Sequence, residues 1–143
     1  MTLSMSMGMG TSAPVGYIDG KTFDVDPYVV TSSMVGTWDM PMWEKWTIVN
    51  ASMMDHPFHE HVNPAQVISI TGGDANYTAL HTTLPAWKDV VIVPAMGSVT
   101  ILVPVMDFTG MAMFHCHILE HEDIGMIGVW NLGDMSMGGG GGM

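Results

Sequence analysis

Six of the seven histidines in this 143-residue chain fall into two short segments. One is His56-Pro57-Phe58-His59-Glu60-His61. The other is His115-Cys116-His117, followed by His121 and then Met126. Imidazole and thiolate are metal ligands, and so dense a gathering of them points to metal chemistry rather than to isolated core histidines. Cys116 is the only cysteine, so it has no intrachain disulfide partner. The spacing Cys116-x4-His121-x4-Met126 puts a thiolate, an imidazole and a weak thioether on one segment. These are three of the four ligands of a blue-copper electron-transfer site. Zinc also takes Cys and His, but structural zinc sites favour several cysteines, and a lone cysteine with a distant methionine suits copper better.

The missing imidazole comes from the first segment by parity. Successive side chains of a strand point to opposite faces, so Cys116 points one way and its neighbours His115 and His117 the other. His59 and His61 share a face. His56 lies an odd number of positions from both, with Pro57 bending the chain between them, and falls on the opposite side. With the two segments as neighbouring strands, His56 joins Cys116 and His121 at one site. His59, His61, His115 and His117 converge at a second.

The elements that must hold these residues are short. Trp43–Ser52 and Ala65–Thr71 read as strands, Asp89–Val93 is an apolar run ending at Pro94, and a turn over 94–97 leads into Ser98–Val105. Met111–Cys116 and Met126–Leu132 complete the set. Helical periodicity over a dozen residues is absent. Short Val-, Ile-, Thr- and Trp-rich segments punctuated by Gly, Pro, Asn and Asp predict an all-β, Greek-key sandwich. Residues 15–133 form the predicted domain. The Met- and Gly-rich stretches 1–14 and 134–143 are predicted to be flexible tails.

The length suits one domain with a single core. Hydrophobic residues make up 48% of the chain, which excludes a disordered acidic polymer. Fourteen acidic residues against three basic ones give a net charge of −11, which argues against nucleic acid and favours cations. No apolar run approaches the roughly 18–20 residues needed to cross a bilayer, so no membrane partner is expected. The first ten residues do not read as a secretory signal.

The two histidine segments resemble the C-terminal, cupredoxin-type domain of multicopper oxidases, the family of laccases, bilirubin oxidases and bacterial cuprous oxidases. The family pattern His-Pro-x-His-x-His matches His56 to His61, and His-Cys-His-x3-His-x4-Met matches His115 to Met126 without a gap. The likeness extends to Ile18-Asp19-Gly20-Lys21, Trp46-Thr47-Ile48-Val49-Asn50 and Trp87-Lys88-Asp89. It implies that His56, Cys116 and His121 bind a type 1 copper with Met126 axial, that His59 binds a type 2 copper, and that His61, His115 and His117 bind a type 3 pair. It also implies that Glu122 helps deliver protons to dioxygen, and that the setting is periplasmic or extracellular. An electron from a small-molecule reductant or Cu(I) then enters through an imidazole edge near the surface, that of His121, and leaves through Cys116 toward His115 and His117.

The histidine count limits what one chain can do. Seven histidines less the two of the type 1 site leave five, and His81 stands alone as a surface or loop residue. In the family, half of the trinuclear ligands come from an N-terminal domain with further His-x-His pairs. Completing the centre therefore calls for a further cupredoxin domain or for symmetric copies of this chain. The second reading is a single-domain blue-copper protein that shuttles electrons without oxidase activity, although such a carrier has no use for His59, His61, His115 and His117. Glu60 stands where the family usually has an apolar residue; it is expected to point away from the histidines and to be free for solvation. Seventeen methionines exceed what a core of this size needs. The tails, with Met34, Met40, Met42, Met53 and Met54, present thioethers suited to recruiting Cu(I).

Overall fold

Alternation of apolar and polar side chains builds most of the chain into strands of a two-sheet sandwich. The structure, a computed structural model, describes residues 1–8, 10, 12–84 and 86–133. The elements in chain order are β1 (Thr2–Ser6), β2 (Val15–Ile18), β3 (Tyr28–Ser32), β4 (Met42–Asn50), β5 (His56–Glu60) and β6 (Ala65–Thr71). After the helix α1 (Ala75–Thr82) come β7 (Trp87–Lys88), β8 (Val90–Val93), β9 (Ser98–Val105) and β10 (Gly110–Cys116). The short helix α2 (Leu119–Asp123) precedes β11 (Ile127–Leu132). One sheet runs β2-β1-β4-β9-β6-β7 and the other β3-β11-β10-β5-β8.

The core lies between the sheets. In β4, Trp46, Ile48 and Asn50 face inward while Thr47 and Val49 face out, and in β9 Val99, Ile101 and Val103 do the same. β-Branched residues suit such a half-buried pleated surface. Trp46 packs edge-on against Phe114 and Trp130, at ring-centroid distances of 5.5 and 4.8 Å. The Trp130 indole N–H donates to Ser32 Oγ at 2.7 Å, so the largest buried side chain carries no orphaned donor.

The sandwich matches the fold class read from the sequence, with three differences. The stretch 1–14, expected to be a flexible tail, contains β1. Leu3 there is fully buried, and β1 pairs with β2 and, in parallel, with β4. The methionines at positions 1 and 5 mask this to a sequence reader, yet both pack against the core. The helix α1 went unanticipated because it is short and buries none of its side chains; its N-cap is Asp74, which accepts from the Tyr77 N–H at 2.9 Å. His81 lies on this helix rather than in a loop, edge-on to the Tyr77 ring at 4.1 Å. The stretch 134–143 lies outside the described residues.

The decisive pairing for the site is β5 against β10, antiparallel, with His59 opposite His115 and Phe58 opposite Cys116. His56, Phe58 and Glu60 face the interior, as do Phe114 and Cys116, and His59 faces out. The parity argument from the sequence thus describes the actual register.

Candidate metal centres

The inner histidine, His56, opens β5 and is fully buried. Cys116 closes β10 and is equally buried. His121 comes from α2, whose single turn starts at Ile118: the Ile118 carbonyl accepts from the N–H groups of His121 and Glu122, each at 3.0 Å. Gly125 then reverses the chain with a φ of 108°, where a Cβ would press on Thr22. This reversal brings in Met126, which is fully buried. Its N–H donates to the His121 carbonyl at 3.0 Å, and its carbonyl accepts from the Cys116 N–H at 3.2 Å.

The three side chains converge. His56 Nδ1 and His121 Nδ1 stand 3.1 Å apart, and Cys116 Sγ lies 3.4 Å from each. Three donors at such separations are what one shared ion requires when its bonds are about 2.0–2.3 Å long. Burial, and then His121 beside it, push His56 down to about 4, and burial pushes Cys116 up to about 11. Near neutral pH His56 is therefore an uncharged imidazole, and the thiol gives up its proton to solvent only when a cation binds the sulfur. His121 is the more accessible of the two imidazoles but keeps only 5% exposure, so its edge is nearer the surface than that of His56 rather than open to it.

The second group occupies the outer face of the same two strands. The ligand atoms of His59, His61 and His115 all lie within 4.8 Å of one another. His115 Nε2 and His61 Nε2 are 3.3 Å apart. His59 Nδ1 is 2.8 Å from the Asp89 carbonyl and His115 Nδ1 is 3.1 Å from the Cys116 carbonyl. A carbonyl only accepts, so both Nδ1 atoms carry hydrogen. His117 is exposed, its ring 5.2 Å from that of His59, and stands at the edge of the three-residue group. Glu122 reaches the same place, with Oε2 at 3.4 Å from His115 Nδ1. A cleft of about 550 Å³, lined in part by His59, His61, Trp87 and Asp89, opens beside the group.

Glu60 behaves unlike the expectation. It does point away from the outer histidines, but it is 3% exposed and not solvated. Neither carboxyl oxygen has a hydrogen-bond partner among the described residues. Burial pushes its pKa up to about 9, so it sits as the neutral acid near pH 7.

The family model described as multicopper oxidase matches residues 6–135. The chain belongs to the multicopper oxidase family. It is 34% identical over 124 residues to a bilirubin oxidase of Albifimbria verrucaria, covering 85% of this chain and 21% of that protein. To a multicopper oxidase of Staphylococcus aureus it is 36% identical over 115 residues, covering 78% of this chain and 23% of the relative. Among solved structures, the McoA multicopper oxidase of Aquifex aeolicus superposes on 93% of this chain and 28% of its own, with a TM-score of 0.72 and 28% identity. The chain therefore spans roughly a fifth to a quarter of the curated relatives it matches. The fold is that of a multicopper oxidase domain of the cupredoxin sandwich type, and copper is the metal its family implies.

The sequence reading missed two groups around the histidines. One is the Asp89 carbonyl, which only the pairing of β5 with β8 brings to His59. The other is Ser52, whose hydroxyl lies 2.7 Å from His56 Nε2. Its position four residues before His56, in the turn that opens β5, is the signal that was available.

Proposed function

We propose that this chain is the electron-entry half of a multicopper oxidase, needing a partner domain or copy to complete its oxygen-reducing centre. In this reading His56, Cys116, His121 and Met126 hold a type 1 copper, His59 a type 2 copper, and His61, His115 and His117 a type 3 pair. Copper held by such ligands supplies one-electron redox chemistry and a place for dioxygen. The observation that carries the reading is the shared strand end: Cys116 faces the inner group while His115, its covalent neighbour, faces the outer one.

The chain's own residues then have distinct tasks. Reducing equivalents from a phenol, a pigment or Cu(I) reach the His121 edge, the less enclosed imidazole. The Cys116 side chain and the main chain to His115 and His117 form the covalent link between the groups. Glu122, half exposed and 3.4 Å from His115 Nδ1, is placed to carry protons from solvent to oxygen. Four electrons and four protons convert one dioxygen to two waters. Two of the outer histidines, His59 and His61, line an open cleft, which is how a surface awaiting further histidine pairs would look. No helix among the described residues is long and apolar enough to cross a membrane, and a periplasmic or extracellular setting is proposed from the family.

Copper per chain, oligomeric mass and oxygen consumption, measured together on the full chain, test the proposal. More than one copper per chain in an oligomer that consumes oxygen, or gained on mixing with a His-x-His-bearing domain, supports it. One copper per chain under all conditions, with no oxygen uptake, returns the protein to the alternative of a simple blue-copper carrier.

A further inference from the structure

Between β4 and β5 the chain makes a buried polar turn built on Asn50 and Ser52. Asn50 is 1% exposed and its amide is oriented by three main-chain groups. Its Nδ2 donates to the Met54 carbonyl at 2.7 Å and to the Val93 carbonyl at 3.1 Å, and its Oδ1 accepts from the Ser52 N–H at 2.9 Å. Turning the amide over would face oxygen toward two carbonyls and nitrogen toward an N–H, so the orientation is fixed. Asn50 Oδ1 is therefore an acceptor, and it lies 2.8 Å from Ser52 Oγ.

Ser52 Oγ has one hydrogen to give and three neighbours within reach. Two of them, Asn50 Oδ1 and the Met54 carbonyl at 3.2 Å, only accept. The third is His56 Nε2 at 2.7 Å. If the hydroxyl donated to His56, both oxygens would meet its lone pairs with no hydrogen between. Donating to Asn50 instead leaves the lone pairs for the His56 N–H and, at 3.5 Å, for the Met54 N–H. The Met54 carbonyl, 3.2 Å from Ser52 Oγ, is then satisfied by the Asn50 amide N–H at 2.7 Å.

From this we infer that Asn50 and Ser52 are positioning residues that lock His56 in its Nε2–H tautomer before any metal arrives. Nδ1 is then the lone-pair atom, and Nδ1 is the atom that faces Cys116 Sγ and His121 Nδ1. The pair also braces the ring across the sandwich: Asn50 belongs to one sheet, and its partner Val93 lies opposite His56 in the other. His121 lacks this device, since its Nε2 has no protein partner among the described residues. A buried imidazole free to choose would spend part of its time with hydrogen on Nδ1, where it blocks the ligand position. Partners of this kind typically change metal affinity about 10–100-fold.

The inference rests on the copper reading above for its purpose, but its first test needs no copper. Long-range proton–nitrogen correlation NMR on the metal-free full chain reports the His56 tautomer directly. A single Nε2–H form is expected, and an Nδ1–H form would overturn the inference whatever the chain binds. For Ser52→Ala the same spectrum is expected to show mixed tautomers, and Cu(II) affinity, titrated with the metal alone, is expected to fall about 10–100-fold. Ser52→Thr, which keeps the hydroxyl, is expected to restore both. An unchanged tautomer with affinity within about twofold in Ser52→Ala would overturn the positioning role. Failure of the copper reading has its own signature, a wild-type chain with the expected tautomer but no blue absorption on loading.

Discussion

The inner and outer histidine groups share two strands yet differ in almost every physical respect. The inner group is closed: His56, Cys116 and Met126 are fully buried, and the ligand atoms sit 3.1–3.4 Å apart. The outer group is open, with His117 exposed and a cleft beside the others. In the inner group His56 and His121 turn Nδ1 to the centre. In the outer group main-chain carbonyls hold Nδ1 of His59 and His115, and His115 turns Nε2 toward His61. One group is enclosed by the chain; the other borders an open cleft. Alternation along a strand is enough to generate both from adjacent residues, with Cys116 in the inner group and His115 in the outer one.

The sharpest break in the comparison is Cys116→Ser. Removing the sulfur is expected to abolish thiolate charge-transfer absorption in the copper-loaded chain while leaving the outer histidines in place; a persisting blue band would end the assignment of the inner group. The reciprocal variant, His59→Ala with His61→Ala, is expected to keep the blue band at full intensity and to lose copper in excess of one per chain, together with any oxygen uptake. Loss of the blue band in this variant, read by absorption and metal analysis, would show that the two groups are not separable.

Most of this division was legible in the sequence because it depends on parity alone. The odd offset of His56 from His59 and His61, and the adjacency of Cys116 to His115, are integer facts that any strand obeys. Strands such as Ser98–Val105 were readable for the same reason, since their apolar alternation is strong. What stayed hidden depends on contacts distant in sequence. Whether Glu60 meets water is decided by the opposing sheet, and its immediate neighbours carry no hint of burial. That Met1–Ser6 holds a strand is decided by pairing with β4, roughly 45 residues away, and methionine is too adaptable a residue to announce it. The Ser52 contact with His56 depends on a turn whose shape Asn50 sets by hydrogen bonds rather than by any residue pattern.

Glu60 lies on the boundary between the groups, inside by orientation and next to the outer cleft by position. Its folded pKa of about 9 exceeds the ordinary 4.5. Such a carboxyl contributes stability that is fully present below the unfolded value and is lost as pH rises from about 4.5 toward about 9. At about 1.4 kcal/mol per pH unit, the loss reaches about 3 kcal/mol near pH 7. Glu60→Gln removes the titration. Its stability relative to the parent chain is expected to be flat below pH 4.5 and to rise steadily above it, measured by denaturant unfolding across the range. A difference independent of pH would show that the carboxyl is solvated or paired after all.

The smallest expected effect probes how tightly the inner group is enclosed. Gly16, in β2, has its N–H bonded to the Ile124 carbonyl at 3.0 Å and lies directly over Met126. A Cβ added there would stand 3.0 Å from Met126 Cβ and 3.4 Å from its Cε, closer than side chains ordinarily approach. Met126 Cβ is fixed by its backbone and the His121 carbonyl oxygen also stands at 3.3 Å, so relief shifts the 121–126 segment by a few tenths of an ångström as well as the thioether. Gly16→Ala is therefore expected to cost about 1 kcal/mol in stability and, if Met126 is a ligand as proposed, to shift the colour of the copper-loaded site, since a weak thioether ligand would tune its electronics. The outer group should not respond, as no contact joins Gly16 to His59, His61 or His115. A stability loss without any spectral change would mean that Met126 packs beside the inner group without acting on it, leaving three ligands in place of four.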